Sequence, residues 1–93
     1  MGIAFFHNIP GRGRLSDKDI LRASIMSELD AINLYEGFAD VVSDTDIKTV
    51  LLDVAREEKI HVGEFQEMLL RLDEEHRGAL YKGIKEVDEL FKK

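Results

Sequence analysis

The sequence predicts an all-α fold: an antiparallel two-helix hairpin plus a short C-terminal helix, with a second copy completing a four-helix bundle by dimerisation. Three observations predict it. Apolar residues recur at steps of three and four from Leu21 to Val42, and again from Ile47 to Leu72, the spacing that lines one face of a helix. The run Ser43-Asp44-Thr45-Asp46 between them carries turn and cap chemistry, and so short a connection forces the helices to lie antiparallel. At 93 residues the chain is near the size where a lone core is marginal, and self-association or a bound metal makes up the deficit.

Residues 1–15 read as a flexible tail and residues 16–93 as the helical domain. Pro10, Gly11 and Gly13 break any periodicity in the tail, whose bulky content is Phe5, Phe6 and His7. Gly11-Arg12-Gly13-Arg14 has the composition of an anion cradle, but it neither follows a strand nor fits a phosphate-loop pattern, so it reads as a basic linker. His7 has no partner at ligand spacing. Ser16, followed by Asp19, caps a first helix that runs to about Val42, with Asp17 and Asp19 favoured at the positive end of its dipole. Its inward stripe is Leu21, Ile25, Glu28, Ile32, Tyr35, Ala39 and Val42. The second helix carries Ile47, Leu51, Val54, Glu58, His61, Phe65, Met68 and Leu72 on one face. Asp73 to Gly78 interrupts this pattern, Gly78 reads as a helix stop, and His76 reads as a solvated residue. A third helix follows with Leu80, Ile84, Val87 and Phe91 on one side. Gly83 weakens it by roughly 1 kcal/mol relative to Ala, so this helix calls for a partner surface.

Composition narrows the function. With 13 Lys+Arg against 19 Asp+Glu the net charge is -6, which argues against nucleic acid and anionic membrane surfaces and for cations. There is no cysteine, so any metal must be held by oxygen and nitrogen. No apolar run approaches a membrane span and the start lacks the features of a secretory signal, so the expectation is a soluble, cytoplasmic chain.

Both stripes have polar interruptions: Glu28 in the first, Glu58 and His61 one turn apart in the second. Taken alone, a Glu-x-x-His pair is common, and a buried Glu or His is more often a satisfied polar group than a ligand. The register makes the difference. Glu28 lies 16 residues before Asp44, and Glu58 and His61 lie 14 and 17 after it, so at about 1.5 Å rise per residue all three reach nearly the same depth. One Glu on one helix and Glu-x-x-His on its neighbour is half of the carboxylate-bridged di-iron arrangement of four-helix bundles, and a dimer of hairpins supplies the other half. Four Glu carboxylates then balance two divalent cations, and the filled site can stay buried. Oxygen-rich ligands with one imidazole per ion suit Fe(II) or Mn(II), and less specifically Zn(II) or Co(II).

At these residues the chain resembles a known family. Ser27 to Tyr35 (Ser-Glu-Leu-Asp-Ala-Ile-Asn-Leu-Tyr) and Arg56-Glu57-Glu58-Lys59-Ile60-His61 are similar to the two motif regions of the encapsulated ferritins, within the ferritin-like superfamily. The likeness runs from about Leu21 to Leu80. It implies a ferroxidase with two irons per dimer bridging between subunits, dimers assembling into a ring, and action inside an encapsulin nanocompartment that stores the oxidised iron. It implies Glu28, Glu58 and His61 as metal ligands and Tyr35 as a residue beside them that can hydrogen-bond a ligand carboxylate. Glu58 is expected to bridge the ions, with Glu28 and His61 terminal. Family members often carry acidic residues flanking the first ligand, where this chain has Ser27 and Asp30, and Leu34 replaces an aromatic residue. The chain stops at Lys92-Lys93 without the tail that addresses free-standing members to the shell, so it is either a domain cut from a longer protein, such as a fusion to the shell subunit, or is addressed otherwise. Two other readings are a rubrerythrin-like di-iron peroxidase, here without a cysteine-bound iron, and a non-catalytic helical assembly module with a buried polar network.

Overall fold

The computed structural model describes residues 15–92. Among them are three helices and no strand: α1 (Asp17–Val41), α2 (Thr45–Leu72) and α3 (Glu74–Leu90). The expected tail, with its Gly11 to Arg14 run and His7, lies outside the described residues apart from Leu15, which precedes α1.

Local chemistry sets the hairpin. Ser16 Oγ accepts a hydrogen bond from the Asp19 backbone N–H at 3.2 Å while the Asp19 carboxylate accepts the Ser16 N–H at 3.1 Å, a reciprocal capping box. Val42 turns extended and ends α1, its N–H donating to the Phe38 carbonyl at 3.0 Å. Two residues later the Asp44 carboxylate accepts the Ile47 N–H at 2.9 Å and opens α2. The chain therefore reverses within a few residues, as expected.

The packing seam coincides with the expected stripes only in part: Ile32 and Ala39 lie on the expected α1 row, whereas Ala23, Ala31, Ala55 and Leu69 lie off the expected rows. The deepest residues are Ala23, Ala31, Ile32 and Ala39 on α1 and Ala55 and Leu69 on α2. Small side chains at the closest approach let the two helices meet along a narrow line, and burial of Leu69 alone contributes about 1.5–3 kcal/mol. Apart from the buried Ile32 and Ala39, the row through Glu28 is half-buried, as are Leu51, Val54, Glu58, His61 and Phe65 on α2, while Ile47, Met68 and Leu72 are exposed. Two helices can cover only one side of each other, so a stripe wide enough for a bundle keeps one edge open until other helices cover it.

The third helix corrects the sequence reading. Gly78 is not a stop: α3 begins at Glu74 and runs through both Gly78 and Gly83. The break is the single residue Asp73, whose backbone leaves helical geometry (φ -134°, ψ 89°) and whose carboxylate accepts the His76 N–H at 3.0 Å. His76 thus sits in the first turn of α3 rather than at the end of the preceding helix. Asp73 is also held from α1, by Arg22 at 3.3 Å and Lys18 at 3.6 Å. The bond from the His76 backbone N–H and these two cations hold its carboxyl below the usual range. A depressed carboxylate adds stability above its unfolded value and loses it as pH falls through the folded one. Asp73→Ala should therefore lower the melting temperature at neutral pH, with the difference from wild type shrinking in acid. Circular dichroism melts at the two pH values check this, and a pH-independent difference would contradict it.

Candidate metal centre

Glu28 stands in the middle of α1, with Glu58 and His61 one turn apart on α2. The antiparallel register brings them together. His61 Nδ1 lies 3.1 Å from Glu28 Oε2 and 3.8 Å from Glu58 Oε2. Each residue offers one donor atom, and the three atoms lie within 4.8 Å of one another, the only such group of His, Asp and Glu among the described residues. The two carboxylates are 18% exposed and the imidazole 42%, so the cluster is sheltered on one side and open on the other. Two carboxylates and an imidazole are a fitting donor set for Fe(II) or Mn(II). Three donors do not complete the coordination such ions take, and the open side is where more can come from.

Crowding of acidic groups governs the protons here. The Glu28 carboxylate beside Glu58 pushes the Glu58 pKa up, assisted by partial burial and opposed by His61. Glu28 likewise raises the His61 pKa through their hydrogen bond, with Glu58 and Glu64 adding negative potential and burial working against it. Both shifts favour the protonated forms, so a cation competes with protons at Glu58 and His61. Binding of Co(II), an air-stable probe, should be strongest above the raised pKa of His61 and weaken by about tenfold per pH unit for each displaced proton as the pH falls. Calorimetric titrations across about pH 5 to 8 in buffers of different ionisation enthalpy check this. A pH-independent affinity with no proton release would contradict it. In the metal-free chain the sign is reversed, because the raised His61 pKa adds stability in acid that is lost as pH rises through it.

Tyr35 is half-buried on α1, two turns beyond Glu28, and no hydrogen bond ties its hydroxyl to Glu28, Glu58 or His61 within the chain. Ser27 lines a cleft of about 200 Å³ together with Glu28, Phe65 and Ser24, while Asp30 is exposed. Sequence reasoning overlooked Glu64, which acts on the His61 proton. Its signal was available as the continued three-residue step Glu58, His61, Glu64. It also overlooked the ion pair between Lys59 of α2 and Glu36 of α1 at 2.8 Å, which links the two helices. No helix among the described residues is long and apolar enough to cross a membrane.

The sequence model of the family described as Rubrerythrin matches residues 19–92. The chain is 56% identical over 72 residues to a ferritin-like-encapsulin shell fusion protein of Pyrococcus furiosus, covering 77% of this chain and 21% of that protein. It is 38% identical over 73 residues to the encapsulin nanocompartment cargo protein EncC of Myxococcus xanthus, covering 75% of this chain and 55% of the relative. The chain thus spans between about a fifth and just over half of the length of these curated relatives. Among solved structures, the encapsulated ferritin domain from Pyrococcus furiosus superposes with a TM-score of 0.79 at 46% identity, over 91% of this chain and 90% of that one. A likeness of that extent and identity to the encapsulated ferritin domain, together with the family match over residues 19–92, means that the chain belongs to the encapsulated ferritin family, within the ferritin-like superfamily.

Proposed function

We propose that the chain is a ferroxidase, oxidising Fe(II) to Fe(III) with dioxygen at a di-iron site formed between two copies, and that it supplies iron to an encapsulin compartment in the cytoplasm. The observation that carries this is the three-donor cluster drawn from two helices and open on one side. A second hairpin placed against that side brings its own Glu28, Glu58 and His61 and closes the shell around two ions. Each chain then contributes two negative charges toward one divalent cation. Glu28, Glu58 and His61 would hold the iron, with Glu58 as the ligand shared between the two ions, and Tyr35 would support a ligand carboxylate. Paired iron supplies the electrons that reduce dioxygen, while the protein fixes the distance between the ions and shields them from bulk water. The cargo protein relative and the shell fusion support the compartment reading, which for this chain takes the form of a fused or separately addressed shell partner.

The test is metal content together with oxidant. Purified protein loaded anaerobically with Fe(II) should hold about one iron per chain, hence two per dimer. It should be oxidised faster by dioxygen than by peroxide, which separates this reading from the peroxidase one that the family match also invites. Oxidation by peroxide alone would favour the latter. Absence of bound iron at any loading would leave an assembly module.

A further inference from the structure

The cleft of about 200 Å³ abuts the metal centre at Glu28, the residue common to both. Neither Glu58 nor His61 lines it. Among its walls are Ser24, one turn before Glu28 on α1, and Phe65, one turn past His61 on α2. Because the helices are antiparallel, both lie to the same side of the three donors, toward the start of α1 and the end of α2. The cleft therefore reaches the centre along the helices, apart from the open side where His61 meets solvent.

The lining is chiefly apolar. Ala23 is buried, the Phe65 ring is half-buried, and Leu15 and Ile20 are exposed at the rim. Space is left because α1 carries the small residues Ala23, Ser24 and Ser27 along this face. The Ser24 hydroxyl is donated to the Ile20 carbonyl of its own helix at 2.8 Å. Polar side chains are thus concentrated at the inner end, at Ser27 and Glu28, where the cleft meets the donors. Such walls give a hydrated cation nothing in exchange for its water, and Fe(II) is drawn instead to the carboxylates and imidazole on the open side. A small apolar molecule is the reverse case: an apolar cavity of about 150 Å³ lined by Leu, Ile and Phe takes up xenon or benzene and stays dry.

We propose, resting on the ferroxidase reading above, that dioxygen is taken up in this cleft and reaches the metal centre past Glu28, while Fe(II) enters from the open side. Ala23, Ser24 and Ser27 are the residues that keep the route clear. Two substrates of opposite character then approach one centre by separate ways, so bound iron does not block the oxidant. Peroxide is polar and hydrogen-bonds to water, so it gains little from the apolar walls. Closing the cleft therefore penalises dioxygen and spares peroxide.

Ser24→Leu fills the cleft, and Ser24→Ala loses the same hydroxyl bond while leaving the space open. In the full chain loaded with Fe(II), Ser24→Leu should need about tenfold more dioxygen for half-maximal oxidation, the scale on which a few methylenes act in an apolar pocket. Its Co(II) affinity and its rate with peroxide should match wild type, as should every property of Ser24→Ala. A second arm needs no metal. Xenon dissolved under pressure should shift the NMR resonances of Ile20, Ala23 and Phe65 in the metal-free wild type and leave them in place in Ser24→Leu. The wild-type xenon measurement stands whether or not Ser24→Leu folds. An unchanged dioxygen dependence in Ser24→Leu, an equal loss with peroxide, or no xenon shift at these residues in wild type would overturn the proposal while the ferroxidase reading stood. Wild type that binds iron and is not oxidised by dioxygen would instead overturn the ferroxidase reading, and the dioxygen route with it.

Discussion

Glu58→Ala and His61→Ala should each lower iron content from about one atom per chain toward none and slow Fe(II) oxidation by more than about 100-fold. The magnitude follows from position: loss of a group that only supports a ligand costs roughly 10–100-fold in affinity or activity, and these two side chains are direct donors. The expected loss is larger for Glu58, because a bridging carboxylate removed from two symmetric chains disrupts both ions at once. His61→Ala also removes the group that opposes the upward pull of Glu28 on Glu58, so the Glu58 carboxyl should be held further up in the metal-free variant. The fold should survive both changes. Neither residue belongs to the alanine seam, and the caps at Ser16 and Asp44 are remote from them. Elemental analysis after anaerobic loading, paired with circular dichroism, separates loss of metal from loss of structure. Full iron occupancy in the double variant would end the di-iron reading.

Local chemistry was legible in the residues and long-range chemistry was not. Ser16 with Asp19, and Asp44 at the turn, are cap signals that act within three or four residues, so the hairpin boundaries fell within a residue of expectation. The depth match of Glu28 with Glu58 and His61 needed only the helical rise and a short loop. The start of α3 escaped because Gly78 is a generic stop signal, whereas the real break at Asp73 is reinforced by Lys18 and Arg22, more than fifty residues away in the chain. No periodicity reports such a contact. Periodicity also marked Ile32 and Ala39, which are buried, but not the other deep contacts at Ala23, Ala31 and Ala55. The hydropathy of alanine is too modest to mark them.

Iron supplied in large excess should be oxidised quickly and then leave solution. The rows that carry Glu28 and His61 are half-covered, α3 leaves its apolar side exposed, and the remaining faces carry scattered acidic and basic residues such as Asp53, Arg56, Glu67 and Arg71. The three helices leave no element to wall off an interior among the described residues, so Fe(III) released from the site should meet bulk water, where it precipitates. The expected result is loss of Fe(II) with growing turbidity once iron far exceeds the sites, and clear solutions when an encapsulin shell is co-assembled with the chain. Light scattering recorded during oxidation distinguishes the two conditions. If the isolated protein carried hundreds of irons per assembly through gel filtration without turbidity, the chain would itself enclose a storage cavity, and the compartment would have some role other than confining the product.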